Sequence, residues 1–177
     1  MQENQNTPDR TLDFEGFPGL WEIRKTSQEM NGERFETLMK VEEQGELPPH
    51  THPQAQESYQ VVSGALDVRV DGEWSTLETG EKHTVPPGTP HTFEVKGPVE
   101  MINVHQPAMG YEEYFRRFHK LKTEHGVEMP PRGLKSMILL GMLQMEYEEE
   151  FISTMPPQWV FRLLAGLGNL LGITLPV

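Results

Sequence analysis

The sequence predicts a mainly β domain, built as a sandwich or barrel of short strands, that is followed by a C-terminal α-helical extension. Before Pro107, short apolar runs are separated by glycine and proline turns, which is typical of all-β domains. After Pro107, apolar residues recur at helical spacing. The 177 residues suit one domain with an appendage. We expect a flexible N-terminus at residues 1–11, a β-barrel at 12–107 and a helical extension at 108–177.

Two dipeptides predict hairpins within the β region. The Asn31–Gly32 pair lies within residues 23–41, between two runs of mixed polar and apolar residues. The Asp71–Gly72 pair follows residues 66–70, LDVRV, in which apolar and polar residues alternate as in a half-buried strand. Both pairs tolerate the positive φ angles of a type I′ turn. Further predicted strands are Trp74–Thr79, His83–Val85, His91–Val95 and Val99–His105.

The extension is predicted to contain three helices. They cover Tyr111 to about Gly126, Leu134–Phe151, and a shorter segment that starts at about Gln158. The pairs Pro130–Pro131 and Pro156–Pro157 interrupt them, because proline disrupts helical hydrogen bonding. The apolar faces of these helices would pack on the barrel or on a second subunit. Alternatively, the methionine-rich second helix would form a lid or an adaptable partner surface.

Composition excludes several classes of partner. The formal net charge of −12 argues against nucleic acid and against anionic membrane surfaces. The chain has no cysteine, so it forms no disulfides and offers no thiolate ligands. The polar N-terminus does not resemble a signal peptide, and residues 159–173 are too short to span a bilayer. These observations predict a cytoplasmic protein.

A candidate metal site centres on His50, His52 and Glu57. On an extended segment, residues i and i+2 point to the same side, so both imidazoles can reach one point. Glu57 can approach that point from the next strand, and His91 offers a fourth ligand from further along the chain. Three imidazoles and one carboxylate suit a divalent transition metal such as Fe, Mn, Ni, Cu or Zn.

Two spaced motifs contain these residues. The first is Gly45-x4-His50-x-His52-x4-Glu57-x6-Gly64, and the second is Gly80-x5-Pro86-x-Gly88-x2-His91. Together they resemble the two signature motifs of the cupin superfamily, over residues 35–107 and, through the strand pattern, 12–107. The first motif usually has five residues between its first glycine and its first histidine, whereas this chain has four. The second often ends in an asparagine where this chain has Val95, but neither departure affects a ligand.

The resemblance implies a double-stranded β-helix, or jelly roll, with one divalent metal held by His50, His52, Glu57 and His91. It also implies a homodimer and a small-molecule substrate or ligand. The favoured chemistry is that of a dioxygenase, in which Glu57 would also act as a catalytic base. The alternatives are a metal-dependent isomerase or epimerase, and a non-catalytic sensor or storage protein that binds a small molecule.

Six inward-facing candidates for the substrate pocket follow from the strand pattern. They are Met39, Tyr59, Val61, Phe93, Met101 and His105. Phe93 shares the face of His91 because the two are two residues apart on one strand. These mostly apolar side chains suit an apolar or aromatic small molecule. The alternative is that they fill the barrel core and that His105 is structural.

Overall fold

The computed structural model describes residues 9–128 and 130–176. Its strands and helices, in chain order, are β1 (Thr11–Asp13), β2 (Leu20–Lys25), β3 (Phe35–Val41), β4 (Gly45–Glu46), β5 (His50–Thr51), β6 (Gln56–Ser63), β7 (Ala65–Val70), β8 (Glu73–Glu78), β9 (Lys82–Val85), β10 (His91–Val95), β11 (Val99–Gln106), α1 (Tyr111–His125), α2 (Leu134–Glu146), β12 (Ile152–Ser153) and α3 (Gln158–Leu170). The mainly β fold with C-terminal helices is therefore confirmed. None of the helices in the described ranges is long and apolar enough to cross a membrane.

Two antiparallel sheets enclose the core. One has the strand order β1-β2-β3-β11-β6-β9, and the other has the order β12-β5-β10-β7-β8 with β4 paired to β10. Alternate side chains of β3 are buried, as expected for a strand with one face on the core. Strand β11 lies between β3 and β6, so its inward side chains sit at the centre of the first sheet. This position carries polar residues into the barrel.

The predicted turn at Asp71–Gly72 is confirmed. Both residues have positive φ, of 51° and 88°, and the flanking residues Val70 and Glu73 pair directly. Asn31 and Gly32 also have positive φ, of 50° and 79°. There, however, the two strands end at Lys25 and begin again at Phe35, so the dipeptide lies in a longer loop.

Gly64 connects β6 and β7, and its backbone could not accept another side chain. Its φ is +82°, and a Cβ atom at this position would lie 2.3 Å from the carbonyl oxygen of Pro98. Glycine is therefore required both for the left-handed backbone and for the close approach of the segment that enters β11. The closing glycine of the first motif thus lets the chain pass from β6 in one sheet to β7 in the other.

The extension differs from the sequence prediction at one important place. The second helix was predicted to reach Phe151, but α2 ends at Glu146 and a turn follows at residues 147–150. The next residues form β12, which pairs with β5 so that Ile152 faces Thr51 and Ser153 faces His50. The prediction was wrong because an edge strand of the barrel offers backbone hydrogen bonds that override local helical preference.

The N-terminal prediction falls mostly outside the described residues. Residues 1–8 of the predicted flexible segment are not described, and Thr11 already belongs to β1. Strand β1 pairs with β2 in antiparallel register.

Candidate metal centre

The four predicted ligands come together inside the barrel. His50 lies on β5 and pairs directly with His91 on β10, while Glu57 lies on β6 and His52 in the short connection before it. All four side chains are buried. One ligand atom from each residue lies within 4.8 Å of every other, so the group could hold a metal ion.

The carboxylate of Glu57 is the centre of this group. Its Oε2 atom lies 2.6 Å from Nε2 of His91, 3.1 Å from Nε2 of His52 and 3.9 Å from Nε2 of His50. All three imidazoles therefore direct the same ring nitrogen toward one carboxylate oxygen. Burial of several polar atoms that face one another is unfavourable unless a hydrogen-bond partner or an opposite charge compensates for the loss of water.

Backbone carbonyl groups hold the other ring nitrogen of each of these histidines. The Nδ1 atom of His50 lies 2.9 Å from the carbonyl oxygen of Pro48, and that of His91 lies 2.8 Å from the carbonyl oxygen of Thr89. The Nδ1 atom of His52 lies 2.8 Å from the carbonyl oxygen of Glu150. Since a carbonyl only accepts hydrogen bonds, each Nδ1 carries the proton and leaves Nε2 free to bind a metal.

The contact to His52 comes from the C-terminal extension. The hydroxyl of Tyr111 donates to the carbonyl of Glu150 at 2.8 Å and lies 3.0 Å from Nδ1 of His52. The ring of Phe151 stacks on His50, with centroids 4.2 Å apart and 12° between the planes. Sequence reasoning did not select these three residues for the site. His52 and Glu150 are 98 positions apart, so no local pattern marks this contact.

Asn103 orients the carboxylate from β11. Its Nδ2 donates to Oε1 of Glu57 at 2.6 Å, which leaves Oε2 directed at the histidines. Burial favours the neutral acid, yet His105, His52 and His91 hold the pKa of Glu57 well below its ordinary value. Sequence reasoning did not select Asn103, although it shares the inward face of β11 with Met101 and His105. Polar residues at core-facing positions of a strand were the available signal.

The protonation state of His50 fits a ligand role. Burial, together with the neighbouring His91 and His52, lowers the pKa of His50 well below its ordinary value. A neutral imidazole is the form that binds a metal. The residues thus provide three histidine nitrogens and one anionic carboxylate, with each ring anchored from behind. This donor set fits a divalent transition metal.

His105 lies beside the four ligands without a hydrogen bond. Its Nε2 atom is 3.4 Å from Oε1 of Glu57, but among the described residues neither of its ring nitrogens has a hydrogen-bond partner. The side chain is 1% exposed and stacks on Tyr111 with centroids 4.2 Å apart. Burial lowers the pKa of His105 to about 3, so the imidazole is neutral.

A cavity of about 530 Å³ is lined by two of the four candidate ligands, His50 and His52. His105 also lines it, together with side chains of α1, α2 and α3. Of the six predicted pocket residues, Met39, Phe93 and His105 line this cavity. The other three, Tyr59, Val61 and Met101, lie in the buried core. Contact between any of the six and a substrate stays a prediction.

Sequence comparisons place the ligands within a recognised domain. Residues 37–105 match the profile of the cupin domain family. A segment of 66 residues is 32% identical to quercetin 2,3-dioxygenase from Bacillus subtilis (strain 168), and it covers 37% of this chain. The same segment spans 20% of that enzyme, so the two proteins are similar over only a fifth of the relative's length.

Solved structures with a similar fold include KdgF from Halomonas sp. and an RmlC-like cupin from Shewanella frigidimarina NCIMB 400. The first is 20% identical with a TM-score of 0.47, covering 52% of this chain and 82% of that one. The second is 22% identical with a TM-score of 0.47, covering 52% of this chain and 79% of that one.

Proposed function

We propose, from the match of residues 37–105 to the cupin domain family, that this protein is a metal-dependent oxygenase acting on a small organic molecule. The observation that supports metal binding most directly is the anchoring of three imidazoles. Each Nδ1 atom is held by a backbone carbonyl, and each Nε2 atom is directed at Oε2 of Glu57. That arrangement is typical of metal-binding histidines.

The proposed ligands are His50, His52, Glu57 and His91. When bound, a redox-active divalent metal supplies the one-electron chemistry that lets an organic molecule react with O₂. The cavity beside the ligands supports a reaction on an organic substrate, because it encloses about 530 Å³ and lies within the size range of small-molecule sites. The similarity of one segment to quercetin 2,3-dioxygenase also favours oxygenase chemistry.

The protein's own residues prepare this reaction in three ways. Asn103 holds one oxygen of Glu57, so the other oxygen is the one available to bind the metal or accept a proton. The apolar wall of the extension keeps water from the reacting groups. His105 presents an unpartnered neutral imidazole to the cavity and is suited to accept or donate one hydrogen bond to substrate.

Metal analysis of the purified protein tests the first part of this proposal. We expect about one divalent metal per chain in the native protein and its loss in His52→Ala, since that change removes a ligand. His83→Ala is a matched control, because His83 lies on β9 and does not belong to the ligand group. Full metal occupancy after His50 and His91 are both replaced by alanine would refute the site.

Oxygen uptake tests the second part. Protein reconstituted with iron, manganese, nickel, copper or zinc is incubated with a panel of aromatic hydroxyl compounds in an oxygen electrode. We expect O₂ consumption matched by product with at least one redox-active metal, and none with zinc, which has no redox chemistry. Product without O₂ consumption would identify an isomerase or epimerase instead. Compounds that raise the melting temperature without any product would identify a binding protein.

A further inference from the structure

We propose that the cavity binds an amphiphilic small molecule, with an apolar body beneath the C-terminal helices and a single hydroxyl-type oxygen head at His105. This inference deepens the proposed function and rests on it, since it places the head of the ligand beside the metal centre. It names the chemical class of ligand and the residue that anchors it.

The walls of the cavity define the body of the ligand. The barrel side contributes the aromatic rings of Phe17, Trp21 and Phe93, and the helical side contributes Phe118, Leu140 and Leu164. No lysine or arginine lies among the described residues that line the cavity. A phosphorylated or sulfated molecule would therefore be buried without a basic side chain to neutralise it. Apolar surface, in contrast, is stabilised by burial against these walls.

The buried polar side chains in the walls already have hydrogen-bond partners, with one exception. The indole of Trp21 donates to the carbonyl of Pro18 at 3.0 Å, and Ser153 Oγ donates to the carbonyl of Pro156 at 2.8 Å. The amide of Gln144 donates to the carbonyl of Phe151 at 3.1 Å. Among the described lining residues, His105 alone has buried side-chain nitrogens without a hydrogen-bond partner. The cavity thus offers one free polar anchor, which suits one polar head.

The position of His105 determines where that head lies. Its ring is held between Tyr111, with centroids 4.2 Å apart, and Phe115, with centroids 5.5 Å apart. Its Nε2 atom is 3.4 Å from the carboxylate of Glu57. Neither ring nitrogen has a hydrogen-bond partner among the described residues, so the imidazole can form a hydrogen bond with a hydroxyl group. A hydroxyl bound there lies next to the metal ligands, with the apolar body extending toward α2 and α3.

A matched pair of probes tests this proposal by equilibrium dialysis. 2-Naphthol carries a hydroxyl where 2-methylnaphthalene carries a methyl group, so the two differ only in the head. In both zinc-loaded and metal-free protein we expect 2-naphthol to bind about tenfold more tightly, the value of one buried hydrogen bond. Ribose 5-phosphate should not bind measurably. Equal binding of the two naphthalenes, or tighter binding of the sugar phosphate, would overturn the proposal.

His105→Phe then tests the anchor. The change keeps a ring on Tyr111 but removes both nitrogens, so the preference for 2-naphthol should disappear in both metal states. His119→Phe is the matched control, because His119 lies against Phe14 and does not line the cavity. If the preference persists in His105→Phe, another group binds the head and the assignment fails. A readout without any variant is the imidazole ¹⁵N signal of His105, which should shift with 2-naphthol and not with 2-methylnaphthalene; the absence of that shift also overturns the proposal.

Leu164→Trp tests the location of the body. This change fills the helical wall, so it should weaken both naphthalenes at least tenfold and leave the metal content unchanged. Unchanged affinity would place the body elsewhere and contradict the proposal. Metal content measured on the same samples separates the two hypotheses. If the protein takes up no metal when zinc is offered but still prefers 2-naphthol, only the proposed function is refuted. If the protein binds metal but lacks that preference, only this inference is refuted.

Discussion

The barrel and the C-terminal extension form opposite walls of one cavity with different chemistry. The barrel supplies the four candidate ligands, three from strands and His52 from the connection between two of them, and all four side chains are buried. The extension supplies apolar side chains and, at the metal centre itself, the carbonyl of Glu150 and the hydroxyl of Tyr111. The group that could hold a metal thus belongs to the barrel, whereas the extension contributes apolar lining to the cavity beside it.

The two regions also differ in how completely they bury apolar side chains. In the barrel, Leu66 and Met101 are 0% exposed. On α3, Trp159 is 61% exposed and Leu170 is 83% exposed. Burial of a large apolar side chain stabilises a fold by about 1.5–3 kcal/mol, so the barrel core gains much more from each such residue than the outer face of α3 does. The homodimer expected from the sequence stays a prediction.

Removal of barrel ligands should have the largest effect. The double change His50→Ala and His91→Ala leaves two of four ligands, so metal affinity should fall by more than about 100-fold, the upper end for loss of a ligand's outer partner. Isothermal titration calorimetry of the metal-free protein with zinc measures this change. As a control, His83→Ala and His119→Ala together should leave the affinity unchanged. Unaltered zinc affinity in the double variant would show that these barrel residues do not bind the metal.

Loss of the hydrogen bond from Asn103 to Glu57 should have the next largest effect on metal affinity. Asn103→Leu removes the donor at 2.6 Å from Oε1 and leaves that oxygen without this partner. We expect metal affinity to fall between about 10- and 100-fold, since outer partners orient their ligands. The zinc titration measures it, with Asn169→Leu on α3 as the control. A loss below twofold would mean that the barrel holds Glu57 in place without Asn103.

The contribution of the extension to the metal centre should be smaller but measurable. Tyr111→Phe removes a hydroxyl that contacts both the carbonyl of Glu150 and Nδ1 of His52, although the carbonyl itself remains. We expect affinity for zinc to fall about tenfold. Tyr114→Phe is a matched control, because its hydroxyl donates to Gln144 at 3.4 Å and touches no ligand. Equal zinc affinity of the two variants would show that the hydroxyl of Tyr111 does not support His52.

The outer face of α3 should matter least for stability. Leu170→Lys replaces an apolar side chain that is 83% exposed, so the free energy of unfolding should change by less than about 0.5 kcal/mol. Leu66→Ala, in the barrel core, should cost about 2–5 kcal/mol. Urea denaturation of the two variants measures the difference. A large loss of stability in Leu170→Lys would show that α3 buries this face in solution, and sedimentation would then identify a second copy as its partner.

The barrel half of the site could be predicted from sequence because its signals are local. His50 and His52 follow the i, i+2 rule, and the two motifs have characteristic spacing. The extension half could not be predicted, because its contacts join distant residues. The carbonyl of Glu150 reaches His52 across 98 positions. It lies in a turn at residues 147–150, where helical spacing predicted that the second helix would continue to Phe151. A backbone carbonyl also carries no side-chain signature, so composition does not reveal it.

The residues on the inward face of β11 were only partly predictable from sequence. His105 was selected because it ends a predicted strand at an inward position, and it does line the cavity. Asn103 shares that face but was not selected, although a buried amide in a strand must find a partner. Met101 and Val61 followed the same alternation yet lie in the core rather than the cavity. Alternation predicts which residues point inward, whereas the depth of the cavity depends on the helices that cover it.

Anomalous X-ray diffraction from crystals of the metal-loaded protein is the most direct test of the metal centre. We predict one strong anomalous peak inside the barrel, with the Nε2 atoms of His50, His52 and His91 and a carboxylate oxygen of Glu57 as its ligands. The ligand distances should be about 2.0–2.2 Å, as for histidine and carboxylate ligands of zinc. A barrel without such a peak, or a metal bound elsewhere while these four side chains contact only one another, would contradict the account.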